Sequence, residues 1–333
     1  MGQIWDFLIV QPIAFLLRSM YNLTHNYGVA ILLFALVAKL ALLWFAYKGK
    51  RGMLQQQRIA PKVQELQKKH GKDKQKMQQE QAKLYQAEGV SMFGGCLWMF
   101  LPFPIIIALY GAVRQPLTYI MQLSSDVIER ISEALEVSAT EGFFSELTIA
   151  NMLSDPASLA KAQSVVTEVL HPVNFGFLGV NLAEVPSFTS LSILVPLLSA
   201  FFSFLSVWLT QKFSGRPPAA GNTQMLTYLL GPGISLWIGF TLPAALGVYW
   251  IAQSLFQIPQ EYFLTKHWNK KLDEEEARKA EREERRKTAE AAQKEEDRKR
   301  RAERIAEQNK KHKPKRYKLQ NKPSASEKEQ EEE

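Results

Sequence analysis

The chain of 333 residues carries 41 Lys+Arg against 33 Asp+Glu, but its mean hydropathy of −0.16 averages two unlike parts, because 18 of the basic residues lie in residues 1–265 and 23 in the rest. A single cysteine, Cys96, excludes an internal disulfide and any paired-cysteine metal or redox site, and the five histidines lack metal-ligand spacing. No GxxxxGKS/T, GxSxG or HExxH occurs, so nothing argues for an enzyme, and neither cofactor nor metal is expected.

Residues 1–20 lack a basic n-region and a small-residue cleavage site, and Asp6 and Gln11-Pro12 interrupt the apolar run, so a cleaved signal peptide is not expected. Gln3, Asp6, Gln11 and Arg18 fall on one side of a helical wheel. The pattern predicts a helix over 1–25 lying along the outer membrane surface, the other reading being an anchor that spans.

Residues 26–47, NYGVAILLFALVAKLALLWFAY, are long enough to cross a bilayer, which takes about 20 apolar residues. Lys39 is the only charge in this run. An ammonium in hydrocarbon costs roughly 3 kcal/mol on insertion scales, so it must meet water, an anion or protein. A snorkelling lysine is the plain alternative. Lys39 lies nine residues before Lys48, about 13 Å at helical rise, which favours a buried hydrophilic site.

Residues 48–91 hold 11 basic and four acidic residues, which places them in the cytoplasm. They read as a helical hairpin of residues 54–69 and 73–88, broken at His70-Gly71-Lys72-Asp73, with Asp73 the N-cap of the second arm. Few apolar positions mean little core and a mobile hairpin. Residues 93–113 form a second span, kinked by Gly94-Gly95, Pro102 and Pro104. From 114 to 186 the balance inverts to three basic and nine acidic residues, so the segment 114–190 lies outside, with short surface helices such as VIERISEALEV.

A third span covers residues 191–210, and two short ones, 224–240 and 242–264, form a membrane hairpin. The fourth is broken by Gly231-Pro232-Gly233 and suggests local bilayer thinning. The fifth carries Tyr249, Trp250, Gln253, Ser254 and Gln257, either packing glue between helices or the wall of a wet cavity. The tail 266–333 is charged throughout. Its residues 298–322 include 12 basic and two acidic residues, a block suited to ribosomal RNA or anionic lipid. The chain thus reads as an all-α polytopic membrane protein: an external interfacial helix (1–25), a five-span core (26–265) and a cytoplasmic tail, with the N-terminus outside and the C-terminus inside.

Residues 26–115 resemble the YidC/Oxa/Alb family of membrane protein insertases. The likeness rests on NYGVAILLFALVAK, on the hairpin RIAPKVQELQKKHGKDKQKMQQEQAKLYQAEGVSMFGGC, and on LPAALGVYWIAQSLFQ in the last span. It extends over about residues 20–265. It implies a hydrophilic groove, open to cytosol and lipid and closed outside, with a basic residue at its centre. By position that residue is Lys39, where the family usually has arginine; Tyr249 and Trp250 correspond to its substrate-contacting aromatics. Gln253 and Gln257 join them as candidate groove residues, and Arg58, Pro61, Lys62 and Tyr85 are the candidates on the hairpin. The large external domain of some members has no counterpart before residue 20, which resembles the compact type of Gram-positive bacteria and organelles.

The function expected is a membrane protein insertase in a bacterial plasma membrane that moves short polar segments of nascent membrane proteins across the lipid bilayer. Expected partners are those nascent chains and, through the basic tail, the ribosome, with the Sec translocon a further candidate. The competing readings are a small transporter or channel with an intramembrane anion site at Lys39, and an anchor for the charged tail. The absence of an internal repeat and a charged hairpin of over 40 residues argue against the transporter.

Overall fold

The computed structural model describes residues 2–71, 73–91, 101, 103–137, 145–215 and 222–311. The chain divides into two units, Met1–Leu272 and Asp273–Glu333.

The first unit opens with α1 (Gly2–Trp5), a π-helical turn (Asp6–Val10) and α2 (Gln11–Thr24). The helical backbone runs on through Gln11-Pro12: in the π-helical turn just before it the Gln11 amide bonds back to the Asp6 carbonyl, which loosens the ladder where Pro12 has no N–H. His25 then adopts a left-handed conformation (φ 50°), and the Asn26 side chain caps α3 (Tyr27–Ala41) by accepting from the Val29 amide at 3.1 Å. Residues 26–47 are not one straight span. The helix breaks at Leu42 and resumes as α4 (Leu43–His70), bent by 58° from α3, so the first arm of the hairpin begins inside the apolar run. Asp73 caps α5 (Lys74–Glu88) by accepting from the Lys76 amide at 3.0 Å, and α5 buries none of its residues.

Of the second span only Leu101 and α6 (Phe103–Arg114) fall within the described residues; Gly94-Gly95, Cys96 and Pro102 lie outside them. Residues 114–190, expected outside and called the external segment on that expectation, follow as α7 (Pro116–Tyr119), α8 (Ser125–Ala134), α9 (Ser145–Met152), α10 (Pro156–Gln163) and the antiparallel pair β1 (Gly176–Phe177) and β2 (Val180–Asn181). The turn between the strands, Leu178-Gly179, has φ of 51° and 80°, the two left-handed residues that a tight hairpin of this twist demands.

These elements are not merely short surface helices. Val127, Ile131 and Leu135 form a buried stripe on α8 and its C-terminal end, and they share one core with Leu147, Ile149, Leu153, Phe175 and Leu182. Asp126, Glu129 and Glu133 take the exposed side. Each fully buried aliphatic side chain in this core contributes about 1.5–3 kcal/mol wherever the unfolded chain would meet water. The same core continues through Leu17 of α2, Tyr27, Ile31 and Phe34 of α3 and Leu109 of α6.

A short 3-10 turn (Leu191–Ile193) leads into α11 (Leu194–Ser214), followed by α12 (Asn222–Thr241) and α13 (Ala244–Lys311). Gly231-Pro232-Gly233 does not break α12, which runs through Pro232; nearby, the Ser235 hydroxyl donates to the Gly231 carbonyl at 3.0 Å. Gly239 fits where a Cβ would lie 2.7 Å from Pro196 Cβ, which lets α12 lie tight on α11. Phe201, Leu229, Leu230 and Trp237 are exposed on this pair, an apolar surface suited to lipid.

By length and apolarity, two described helical stretches suffice to cross a membrane, Asp6–Thr24 and Leu191–Ser214, or three if bent α3–α4 is one span; α6 is shorter. The described helices therefore do not reach five spans on that measure, while the all-helical character holds apart from β1 and β2. In the second unit α13 carries exposed ion pairs at four-residue spacing, Glu281–Arg285, Glu283–Lys287 and Glu296–Arg300 among them. Of the basic block 298–322, residues after 311 lie outside the described ones.

Candidate functional site

The external segment fixes where α13 starts. The amides of Ala244 and Ala245 donate to the carbonyls of Glu184 (2.9 Å) and Leu182 (3.0 Å), which satisfies two donors of the helix start. Gly247 follows, where a Cβ would come within 2.4 Å of Val195. From this start Tyr249, Gln253, Gln257 and Glu261 recur every four residues and so share one face. That face borders a cavity of about 360 Å³ whose other walls are Lys39, Leu42, Phe45 and Lys50 of the α3–α4 stretch and Leu101.

Four polar side chains of the cavity form one chain of bonds. Lys39 Nζ donates to Gln257 Oε1. Gln257 Nε2 donates to Glu261 Oε1 at 2.7 Å. Glu261 Oε2 pairs with Lys50 Nζ, and both of these residues are buried, at 7% and 4% exposure. Separate from this chain, Gln253 Nε2 donates to the Tyr249 hydroxyl at 2.9 Å. Among the described lining residues two cations meet one anion. The Lys50–Glu261 pair leaves the lining with one net positive charge, and the hydrogen-bond partner of Lys39 is an amide oxygen.

Of the residues expected at a groove, Lys39, Tyr249, Gln253 and Gln257 line this cavity. Trp250 does not; it is half-buried against the core and meets Tyr249 edge to face at 6.2 Å. The hairpin residues do not converge on it either. Arg58 Nη2 donates to the Asn269 carbonyl at 3.2 Å, tying α4 to α13, and Lys62 pairs with Glu88 across the hairpin. Pro61 is exposed within α4 and Tyr85 half-buried on α5. The sequence reading passed over Lys50 and Glu261. Lys50 lies 11 residues after Lys39, close to three helical turns, and Glu261 extends the four-residue series from Tyr249.

A larger cavity of about 880 Å³ lies in the external segment beside Glu129, Glu133 and Glu146. Glu146 is already engaged there, by the Thr118 amide (3.0 Å) and hydroxyl (2.9 Å). Among the described residues that cavity holds no chain of buried charges.

The fold and cavity define a helical membrane protein with an ionic site among its helices. The sequence model of the family described as 60Kd inner membrane protein matches residues 19–271, and the chain belongs to this family, that of YidC and Oxa. It is similar to the membrane protein insertases YidC of Dinoroseobacter shibae (28% identical over 271 residues, 81% of this chain and 38% of the relative) and Granulibacter bethesdensis (27% over 260 residues, 78% and 38%). Against that of Magnetococcus marinus it is 39% identical over 106 residues, 32% of this chain and 19% of the relative. The chain thus spans about two fifths of the length of the first two relatives.

Proposed function

We propose that this chain is a membrane protein insertase, acting without covalent chemistry on nascent membrane proteins. The observation that carries the reading is the cavity at Lys39: polar and charged side chains line it, yet it lies between helices whose outward faces are apolar. A polar or acidic segment crossing hydrocarbon loses its hydration. A wet cavity shortens that low-dielectric path, and Lys39 offers a counter-charge along it. The apolar helix of the substrate then partitions into lipid, which supplies the driving force.

Features at both ends of the core support the orientation. Trp44–Lys48, Trp208–Lys212 and Tyr262–Lys266 each set a lysine four residues after an aromatic ring, with the ammonium 5.6, 5.2 and 5.8 Å from the ring centre. Such aromatic and basic steps on three helices suit the cytoplasmic interface of a bacterial membrane. At the outer side both ends of the Asp6–Thr24 helix bond to the external segment, Asp6 to the Tyr119 hydroxyl and the Tyr21 hydroxyl to the Asn174 amide at 2.9 Å. Bonds at both ends support the reading of this helix as one that lies along the outer surface, and we read four further helical stretches, with residues 93–113, as the five spans. The hairpin receives substrate, and the basic tail holds the ribosome near.

Site-specific photocrosslinking tests the proposal. Probes at Gln253 and Gln257 should capture a ribosome-bound single-span nascent chain, and a probe at exposed Val169 of the external segment should not. Equal capture at all three positions, or none, overturns the cavity as the path.

A further inference from the structure

We infer that Glu261 is a positioning and specificity-determining residue, setting both the orientation of the Gln257 amide toward Lys39 and the net charge of the cavity; the inference rests on the insertase reading above.

The argument begins with donors and acceptors. An ionised carboxylate only accepts, and an ammonium only donates. Glu261 Oε1 receives the Gln257 amide nitrogen at 2.7 Å, so the amide oxygen must turn the other way, and that oxygen is what Lys39 meets. The two ends of the chain demand the same amide orientation. Without the carboxylate the amide loses its reason to point nitrogen toward residue 261, and a flipped amide would present a donor to the donor Lys39. Glu261 thereby acts on Lys39 through Gln257, without touching it by any bond described.

The second part concerns charge. Glu261 Oε2 is taken by Lys50, a buried lysine on the opposite wall of the cavity. Of two lysines facing the same 360 Å³, Glu261 cancels one. The parent cavity therefore offers a passing segment a single net positive charge. Glu261→Gln would offer two. Lys50→Met would remove the ion-pair partner of Glu261, set its charge against that of Lys39, and offer none.

A purely structural ion pair predicts something different. If Lys50 and Glu261 only hold α4 to α13, each single substitution weakens the site in the same direction for every substrate. The charge account predicts opposite signs. The readout is the ratio of insertion of two substrates that differ in one acidic residue of the translocated segment, measured in proteoliposomes with the full chain. Glu261→Gln should raise the acidic-to-neutral ratio and Lys50→Met should lower it, each by about 2-fold to about 30-fold, the weight of one charge about 8 Å away between water-like and surface-like dielectric. The Lys50→Met/Glu261→Gln pair should return the ratio to the parent value. It also keeps the test decisive should either single variant fail to fold.

Ratios that move the same way in both single variants, or do not move, overturn the inference, as does a double variant whose ratio stays away from the parent's. These outcomes are separable from failure of the insertase reading, which shows as loss of crosslinking at Gln253 and Gln257 in the parent protein.

Discussion

Phe177, at the end of β1, lies over Gly28 in the first turn of α3 so closely that a Cβ on Gly28 would sit 2.2 Å from the ring's Cγ. Next to this contact the Tyr27 amide donates to the Asn174 carbonyl (3.0 Å) and the Asn26 side chain to the Gly176 carbonyl (2.8 Å). The external segment thus clamps the start of the helix that carries Lys39.

The clamp makes a first prediction. Gly28→Val should destabilise by about 1–3 kcal/mol, the usual cost of overpacking. Thermal unfolding in detergent reads it, and Phe177→Ala in the same chain should restore part of the loss. Equal melting of parent and Gly28→Val would show that Phe177 moves aside freely.

The buried pair makes a second. Lys50→Met alone should cost about 3–5 kcal/mol, because Glu261 is left charged and unpartnered by a cation. Lys50→Met with Glu261→Gln should recover most of this in the same denaturation experiment. A double variant no more stable than Lys50→Met would mean that packing rather than charge is lost.

Local stability should divide the protein unevenly. Amides of α5, which buries no residue, should exchange with solvent within the fast regime, while those around Ile131, Ile149 and Leu182 should be protected as well as the core of α3. Hydrogen exchange by mass spectrometry checks this. Slow exchange throughout Lys74–Glu88 would contradict it.

The contrast between α5 and the external segment shows what was legible beforehand. Asp73 as N-cap of α5 was readable because capping is local and depends on one side chain and its next turn. The core of the external segment is hidden by averaging: nine acidic residues dominate its charge balance, and the four-residue spacing of Val127, Ile131 and Leu135 lies beneath them. Lys39 and the face of Tyr249, Gln253 and Gln257 stood out as polar groups in apolar runs. Lys50 and Glu261 did not, because each lies where an apolar run gives way to charge and looks like the solvated edge of a span. Only the bend at Leu42 and the packing of α13 bring them together. The break at Leu42 itself has no glycine or proline to announce it.

The tail should raise ribosome affinity through phosphate contacts. Removal of residues 298–333 should weaken co-sedimentation at low salt and flatten the dependence of log K on log salt concentration. Binding that ignores both truncation and salt would remove the tail from the account.

The central claim is that Lys39 works as a counter-charge in a wet cavity, and one comparison tests it most directly. Insertion of two versions of a single-span substrate, with and without an acidic residue in the translocated segment, is measured for the parent, Lys39→Arg and Lys39→Ala. The account predicts that arginine keeps both substrates. Alanine should lose about tenfold on the acidic one, roughly 1.4 kcal/mol of charge interaction, and keep the neutral one. Equal insertion of both substrates by Lys39→Ala, at the parent's rate, would contradict it.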